Sequence, residues 1–183
     1  SNTGLALLKL GIDTHLVGKI GDDVFGRAVL DIINSYAPDY PQSMVIDKNV
    51  STSYSLIISP IGSDRIFLHN PGANQTFCAA DVSYDLTAQA RLFHFGYPPI
   101  MRRMYAQDGI ELIKMLQKVK ASGASTSLDM CYPDPASETG KADWRKILVG
   151  VLPFVDIFLP SLEELLWMLR RETFQVYTES GNF

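Results

Sequence analysis

Leu16-Val17-Gly18-Lys19-Ile20-Gly21-Asp22-Asp23-Val24-Phe25-Gly26 is the stretch on which the fold turns. Leu16 to Ile20 suits a short buried strand. Gly21 then leads into Asp22-Asp23, either of which can cap a helix by accepting its first free N–H groups. Beyond the cap, apolar side chains stand at Val24, Phe25, Ala28, Val29, Ile32 and Ile33. That i, i+4, i+8 spacing predicts a helix with one face on a sheet, ended by Pro38 and Pro41.

Working outward, Leu5, Leu7, Leu8 and Leu10 before Gly11 predict a first helix with no strand in front of it. Downstream, Met44-Val45-Ile46, Tyr54–Ser59 and Arg65–Asn70 are short and rich in β-branched or aromatic residues. The five residues Pro60 to Asp64 join the last two as a hairpin, so residues 43–70 form a small antiparallel appendage. Alternation then resumes. Leu92–Phe95, Ser125–Met130 and Val155–Leu159 read as strands; Met104–Lys120, Trp144–Leu152 and Ser161–Leu169 read as helices. In the first of these helices Ile110, Ile113, Leu116 and Val119 should face inward. Strands alternating with helices at this pitch predict an α/β fold with a parallel sheet covered on both faces.

Composition narrows the function classes. The chain has 183 residues, 46% of them hydrophobic and 20% charged, with a net charge of −4. Such a mixture excludes a disordered or collagen-like chain, and at this length folding hides roughly 70% of the unfolded surface. Mild acidity without a Lys/Arg block argues against nucleic acid or anionic membrane as partner. Arg102-Arg103 and Arg170-Arg171 are dipeptides that solvated helix ends explain. The longest apolar run, Ile147–Val155, is too short to cross about 30 Å of hydrocarbon. With Cys78 and Cys131 in no metal or redox spacing, and no signal-like opening, free thiols in the cytoplasm are expected.

In open parallel sheets, ligands sit beyond the carboxyl ends of the strands. Gly21-Asp22-Asp23, Gly96-Tyr97-Pro98, Asp129–Asp134 and Ser161–Glu164 all occupy such positions. No G-x-x-x-x-G-K-[ST], no G-x-G-x-x-G after a strand and no G-x-S-x-G occurs. His15, His69 and His94 are scattered. Ser161-Leu162-Glu163-Glu164 has capping-box spacing, while a carboxylate at a helix N-terminus beyond a strand end also suits hydrated Mg²⁺ beside a phosphate. Asp129 reads either as a loop cap or as a sugar or cation partner, and Asn70–Asn74 as turn chemistry.

Several segments together resemble the PfkB carbohydrate kinases, the ribokinase-like sugar and nucleoside kinases. Ser1–Gly4 running through Gly11 to Gly18-Lys19-Ile20-Gly21-Asp22-Asp23-Val24-Phe25-Gly26 is similar to the tail of that family's N-terminal signature. Ser51-Thr52 and Pro71-Gly72-Ala73-Asn74 bracket a hairpin like the family's lid. Val155–Glu164 resembles its "D-hydrophobic-x-x-PNxxE" segment.

The resemblance implies a ribokinase-like parallel sheet flanked by helices, with residues 43–70 as an antiparallel β lid, in one domain truncated at both ends. It implies an ATP- and Mg²⁺-dependent sugar kinase. It places Asn2, Asn74, Tyr97 and Asp129 at the sugar, Ser161 and Glu164 at phosphate, and Glu164 at the metal. Ser161 stands where many relatives have Asn, which makes that contact shorter or water-mediated. Relatives often carry D-x-N-x-R at Asp129; Cys131 and Pro133 replace its Asn and Arg, a departure from the fructokinase and ketodeoxygluconate kinase pattern. The family's "DTxGAGD" segment, source of its catalytic base, matches nothing in the 183 residues, so no catalytic residue is assigned and no phosphate transfer is expected from this chain alone. The alternatives are a non-catalytic sugar-binding or lid-dimerising module and a nucleoside kinase. Expected partners are a small sugar, ATP and a second copy docked through the lid.

Overall fold

The computed structural model describes residues 2–38 and 43–180. They form two compact units that divide between Phe77 and Cys78.

In the first unit, α1 (Asn2–Lys9) precedes β1 (Gly18–Gly21), α2 (Val24–Tyr36) and β2 (Met44–Asp47). Strand β1 pairs with β2 in parallel, Gly18 opposite Met44 and Gly21 opposite Asp47. A parallel neighbour needs a crossover, and α2 supplies it. The antiparallel part is therefore smaller than expected, because Met44–Asp47 belongs beside β1. It consists of β3 (Tyr54–Ile58) and β4 (Ile66–Asn70), with Leu56 opposite Leu68. The connection runs from Ser59 to Arg65, one residue longer at each side than Pro60–Asp64. Helix α2 also hides less than its pattern promised: Gly26 and Ile33 are buried, while Val24, Phe25 and Ile32 are exposed. The sheet beneath it in this unit has two strands, too narrow to cover six apolar side chains.

In the second unit, α3 (Tyr84–Thr87) leads into β5 (Leu92–Gly96), α4 (Arg102–Ala121), β6 (Ser125–Asp129), α5 (Glu138–Lys141), α6 (Trp144–Val151), β7 (Ile157–Leu159), α7 (Leu162–Leu169) and α8 (Arg171–Glu179). The sheet order is β5-β6-β7, all parallel, with Gly96 opposite Asp129 and Asp129 opposite Leu159. Met104, Leu112, Met115, Leu116, Leu128, Trp144 and Ile147 form its core. His94 sits on β5 with Nδ1 3.0 Å from the Ser127 hydroxyl, a satisfied histidine on a strand.

Helix α4 is interrupted. Gln107, Asp108 and Gly109 take three successive left-handed conformations. A Cβ on Gly109 would stand 2.8 Å from Ile147, so glycine lets α4 meet α6 there. Asp108 pairs with Lys146 at 2.7 Å across the same contact. The break resets the helical phase: Leu112, Met115, Leu116 and Val119 are buried, and Ile110, expected inside, is exposed. Helix α8 lies beyond the last helix that the spacing predicts, and the Arg170-Arg171 pair is exposed at the junction of α7 and α8, as expected of helix ends. Arg171 donates to the Gly140 carbonyl at 2.6 Å and stacks 4.1 Å from the Trp167 ring.

Asp156, before β7, ties that strand to β6. Its carboxylate pairs with Lys120 and accepts the Thr126 N–H at 2.9 Å. Lys120 first, and the Thr126 amide next, hold its pKa below the ordinary 3.8. A carboxylate with a depressed folded pKa contributes stability above the unfolded value and loses it as pH falls through the folded one. Urea midpoints of the wild type should therefore drop as pH falls below 3.8. Asp156→Asn should be less stable at neutral pH and show a shallower acid drop in the same circular-dichroism titration. Parallel acid limbs for the two proteins would contradict this.

No helix among the described residues is long and apolar enough to cross a membrane.

Candidate functional site

The first unit is organised by Asp23. Of the two aspartates, it is Asp23 that caps α2, its Oδ1 accepting the Gly26 N–H at 2.8 Å. Asp22 lies 3.9 Å from Arg27. The same Asp23 carboxylate also accepts the Thr52 hydroxyl and the Thr52 N–H, both at 2.7 Å. Thr52 Oγ1 in turn accepts the Gly21 N–H at 2.9 Å. The Thr52 amide first, then the Gly26 amide and the Thr52 hydroxyl, hold the Asp23 carboxyl below its ordinary value. Backbones close in around this point. A Cβ on Gly21 would strike the Val50 carbonyl oxygen, and one on Gly26 the Gly21 carbonyl oxygen. The Gly-Asp-Asp-x-Phe-Gly run thus clamps the end of β1 to the segment entering the hairpin.

That clamp sets the position of Asn74. Residues Gly72–Gln75 form a 3₁₀ turn hung on the hairpin's start by Ala73 N–H donating to the Ser51 carbonyl at 2.8 Å. From the turn, Asn74 Nδ2 donates to Ser53 Oγ at 3.0 Å. Both line a cleft of about 210 Å³ with Lys19, Ile33 and Met44. Lys19 is held there by Asp47 and the Thr76 carbonyl, each at 3.5 Å. The side chain of Asn2, the other sugar-binding candidate of this unit, lies outside the described residues.

The second unit brings Tyr97, Asp129, Ser161 and Glu164 to the carboxyl ends of β5, β6 and β7. Tyr97 follows β5 in the left-handed region at φ 67°, ψ 50°, and its N–H donates to the Asp129 carbonyl at 3.1 Å. A non-glycine residue held there costs about 1–2 kcal/mol, which the Pro98–Ile100 turn and the pairing to β6 must offset. Asp129 Oδ1 accepts the Met130 N–H at 2.9 Å. The negative charge of Asp129 first, then burial, Cys131 and Glu164, raise the Tyr97 hydroxyl. Burial first, then Glu164 and Asp129, push the Cys131 thiol up to about 12. Tyr97, Asp129, Cys131 and Glu164 therefore share one electrostatic neighbourhood, and its sign is negative. Cys131 is a free thiol held neutral there.

Ser161 and Glu164 form the capping box that their spacing predicts. The Ser161 N–H donates to Glu164 Oε2 at 2.7 Å and the Glu164 N–H to Ser161 Oγ at 3.1 Å. One Glu164 oxygen is thereby committed to the helix. No group of three or more metal-ligating side chains stands together among the described residues. Two carboxylates without a closed cage suit Mg²⁺, which takes one or two of them and fills its octahedron with phosphate and water.

Comparison with known proteins decides the family. The chain matches the pfkB family carbohydrate kinase model over residues 1–180. It belongs to that family. Proteins named probable fructokinase-7 and probable fructokinase-2 of Arabidopsis thaliana are 24% and 25% identical to it, covering 92% and 94% of the chain and 48% and 52% of their own lengths. Among solved structures, a fructokinase from Xylella fastidiosa superposes with a TM-score of 0.77 at 20% identity, over 97% of this chain and 55% of that one. A 2-dehydro-3-deoxygluconokinase from Thermotoga maritima gives 0.74 at 17% identity, over 98% and 56%. At these identities the likeness is one of fold: α/β, ribokinase-like, a parallel sheet with flanking helices. This pfkB-family chain spans about half the length of the relatives it matches.

Sequence reasoning missed one contact in the first unit and passed over one side chain in the second. Thr52 binds Asp23 from 29 positions away, beyond the reach of any local spacing rule. Cys131 falls inside the Asp129–Asp134 segment expected at the ligand side, but nothing in that spacing singles out the thiol.

Proposed function

We propose that this chain holds the sugar side of an ATP-dependent carbohydrate kinase and that alone it binds a sugar without transferring phosphate. The observation that carries the reading is the pfkB family match over residues 1–180. The absence of any DTxGAGD-like segment from the 183 residues, with the half-length coverage of relatives, supports the second clause. In the whole enzyme a sugar hydroxyl gives its proton to the base of that segment. Its oxygen attacks the γ-phosphorus of ATP, and ADP leaves.

The roles follow the chemistry each group can offer. Asn74, whose amide both donates and accepts, and Asn2 take sugar hydroxyls. Tyr97 and Asp129, at the strand ends of the second unit, are that unit's own sugar-side candidates. Ser161 and Glu164 stand on the phosphate side, with Glu164 as the metal-side carboxylate. Mg²⁺ bound there would neutralise phosphate charge. The chain acts on small molecules, not nucleic acid or membrane, in the cytoplasm.

The hairpin supports a second part of the proposal, a homodimer through the lid. Leu56, Ile58, Ile66 and Leu68 are all exposed on one ribbon. An isolated two-stranded hairpin is marginal in water, so such a ribbon gains from an apolar partner. The same face on a second copy is self-complementary about a two-fold axis.

Calorimetric titration with D-fructose, D-ribose and adenosine, alongside a coupled ADP assay, tests the reading. Fructose comes first because the Arabidopsis and Xylella relatives carry that name. Saturable heat with a sugar and no sugar-dependent ADP is the expected result. ADP production by the 183-residue chain would overturn the inactive part. Heat with adenosine alone would move the chain to the nucleoside kinases, and no heat at all would remove the sugar site.

A further inference from the structure

His94 on β5 stands opposite Ser127 on β6, and two residues further on Gly96 stands opposite Asp129. Side chains alternate along a strand, so all four positions lie on one face of the sheet. The bond between His94 and Ser127 occupies only one ring nitrogen, Nδ1. The other, Nε2, makes no hydrogen bond among the described residues and lies along the strand toward its carboxyl end. Apart from its chain neighbours, a Cβ on Gly96 would meet one described atom within 4 Å, His94 Nε2 at 3.9 Å. Gly96 therefore leaves a gap at the strand end. The ring nitrogen stands behind it, and Asp129 stands beside it on the neighbouring strand, about 4.8 Å across. Asp129 Oδ1 accepts the Met130 N–H, while Oδ2 has no partner among the described residues.

Burial fixes which ring nitrogen carries the proton. Ser127 is 2% exposed, and its hydroxyl has no partner but His94. If Nδ1–H donated to Ser127, the serine O–H would be buried with nothing to accept it, which is the costly arrangement. The hydroxyl therefore donates to Nδ1, and the neutral ring carries its proton on Nε2. A fixed N–H donor and a free carboxylate oxygen thus flank one gap.

We propose that a sugar hydroxyl seats over Gly96, accepting from His94 Nε2–H and donating to Asp129, which makes His94 a further binding residue of the second unit. The inference rests on the sugar-binding reading above and adds a residue to it. A hydroxyl matches both neighbours because it accepts and donates at once. Leu159, opposite Asp129 on β7 and half exposed, offers an apolar flank to the C–H groups beside it.

Gly96→Ala tests this on the intact 183-residue chain. The φ of Gly96 is not left-handed, and a methyl group 3.9 Å from the ring is in ordinary contact, so the urea midpoint should hold or rise. The methyl group nevertheless fills the gap, and D-fructose binding should weaken about tenfold or more by calorimetry. Nuclear magnetic resonance of the ¹⁵N-labelled chain should show the His94 proton on Nε2 and His94 ring signals that move saturably with fructose. His94→Gln identifies those signals among the three histidines by their loss. Its amide can still take the Ser127 proton and donate, so it should bind fructose more tightly than His94→Leu. Undiminished fructose binding by Gly96→Ala, a proton on Nδ1, or a stationary His94 signal would each overturn the inference and leave the sugar-binding proposal standing. No heat with any sugar would overturn both.

Discussion

Gly26→Ala should destabilise the first unit by about 2–3 kcal/mol, the reverse of the usual effect of that change in a helix. Within an open helix, glycine to alanine gains about 0.8–1.0 kcal/mol of propensity. Gly26 is in the first turn of α2, and its φ lies outside the left-handed region, so nothing in its own backbone refuses a methyl group. The neighbour refuses it. The new Cβ would overlap the Gly21 carbonyl oxygen and stand 3.0 Å from Thr52 Oγ1. A carbonyl oxygen in a paired strand cannot rotate away as a side chain can. To admit the methyl, α2 must lift from β1, and Asp23 then loses the geometry that lets one carboxylate hold Gly26, Thr52 and the hairpin entry together. Gly150→Ala in α6 is the matched control. Its Cβ would meet the Cδ1 methyl of Ile113 at 2.7 Å, the free tip of a side chain that can change rotamer. Urea unfolding should show a large loss for Gly26→Ala and a change within about 1 kcal/mol for Gly150→Ala. A Gly26→Ala protein as stable as wild type would show that the approach of α2 to β1 is not fixed.

The contrast between these two glycines marks the boundary of what the sequence makes legible. Local signals read well. Asp23 as a cap, the Ser161–Glu164 box and the strand–helix alternation are all set by residues within a few positions of one another, where spacing is the cause of the structure. Partners fixed by topology read poorly. Met44–Ile46 looks like a strand from its composition, but its direction depends on β1, and composition carries no direction. Thr52 looks like the start of a hairpin; its bond to Asp23 exists only once β1 and the hairpin are clamped. The inward residues of α4 failed at Ile110 for a third reason. Gln107 and Asp108 carry no local turn signal, and the left-handed break stands where Gly109 leaves room for Ile147 and Asp108 pairs with Lys146. Family resemblance names Asn74 in the first unit and Tyr97, Asp129 and Glu164 in the second as candidates, while the negative neighbourhood around Tyr97 and Cys131 follows only from side chains brought together at the ends of three strands.

Leu68→Lys should convert a lid-mediated dimer into a monomer without unfolding the chain. Leu68 and Leu56 face each other on one face of the hairpin, with the Ile58–Ile66 pair next to them on the same face. In a two-fold interface each residue occurs twice, so one substitution places two ammonium groups in the apolar contact. Like charges brought together there, with desolvation of both, should weaken association about a hundredfold or more. The monomer has no comparable objection, since Leu68 is 52% exposed and the lysine stem still covers Leu56. Sedimentation equilibrium should give the mass of two chains for wild type and of one for Leu68→Lys, with unchanged far-ultraviolet circular dichroism. Ser55→Lys, whose side chain alternates with Leu56 onto the opposite face of the ribbon, should remain a dimer. The paired result matters more than either variant alone. If Ser55→Lys dissociated the dimer and Leu68→Lys did not, the two faces would have exchanged roles; a wild-type monomer would remove the dimer and leave the exposed leucines and isoleucines of the ribbon to some other cover.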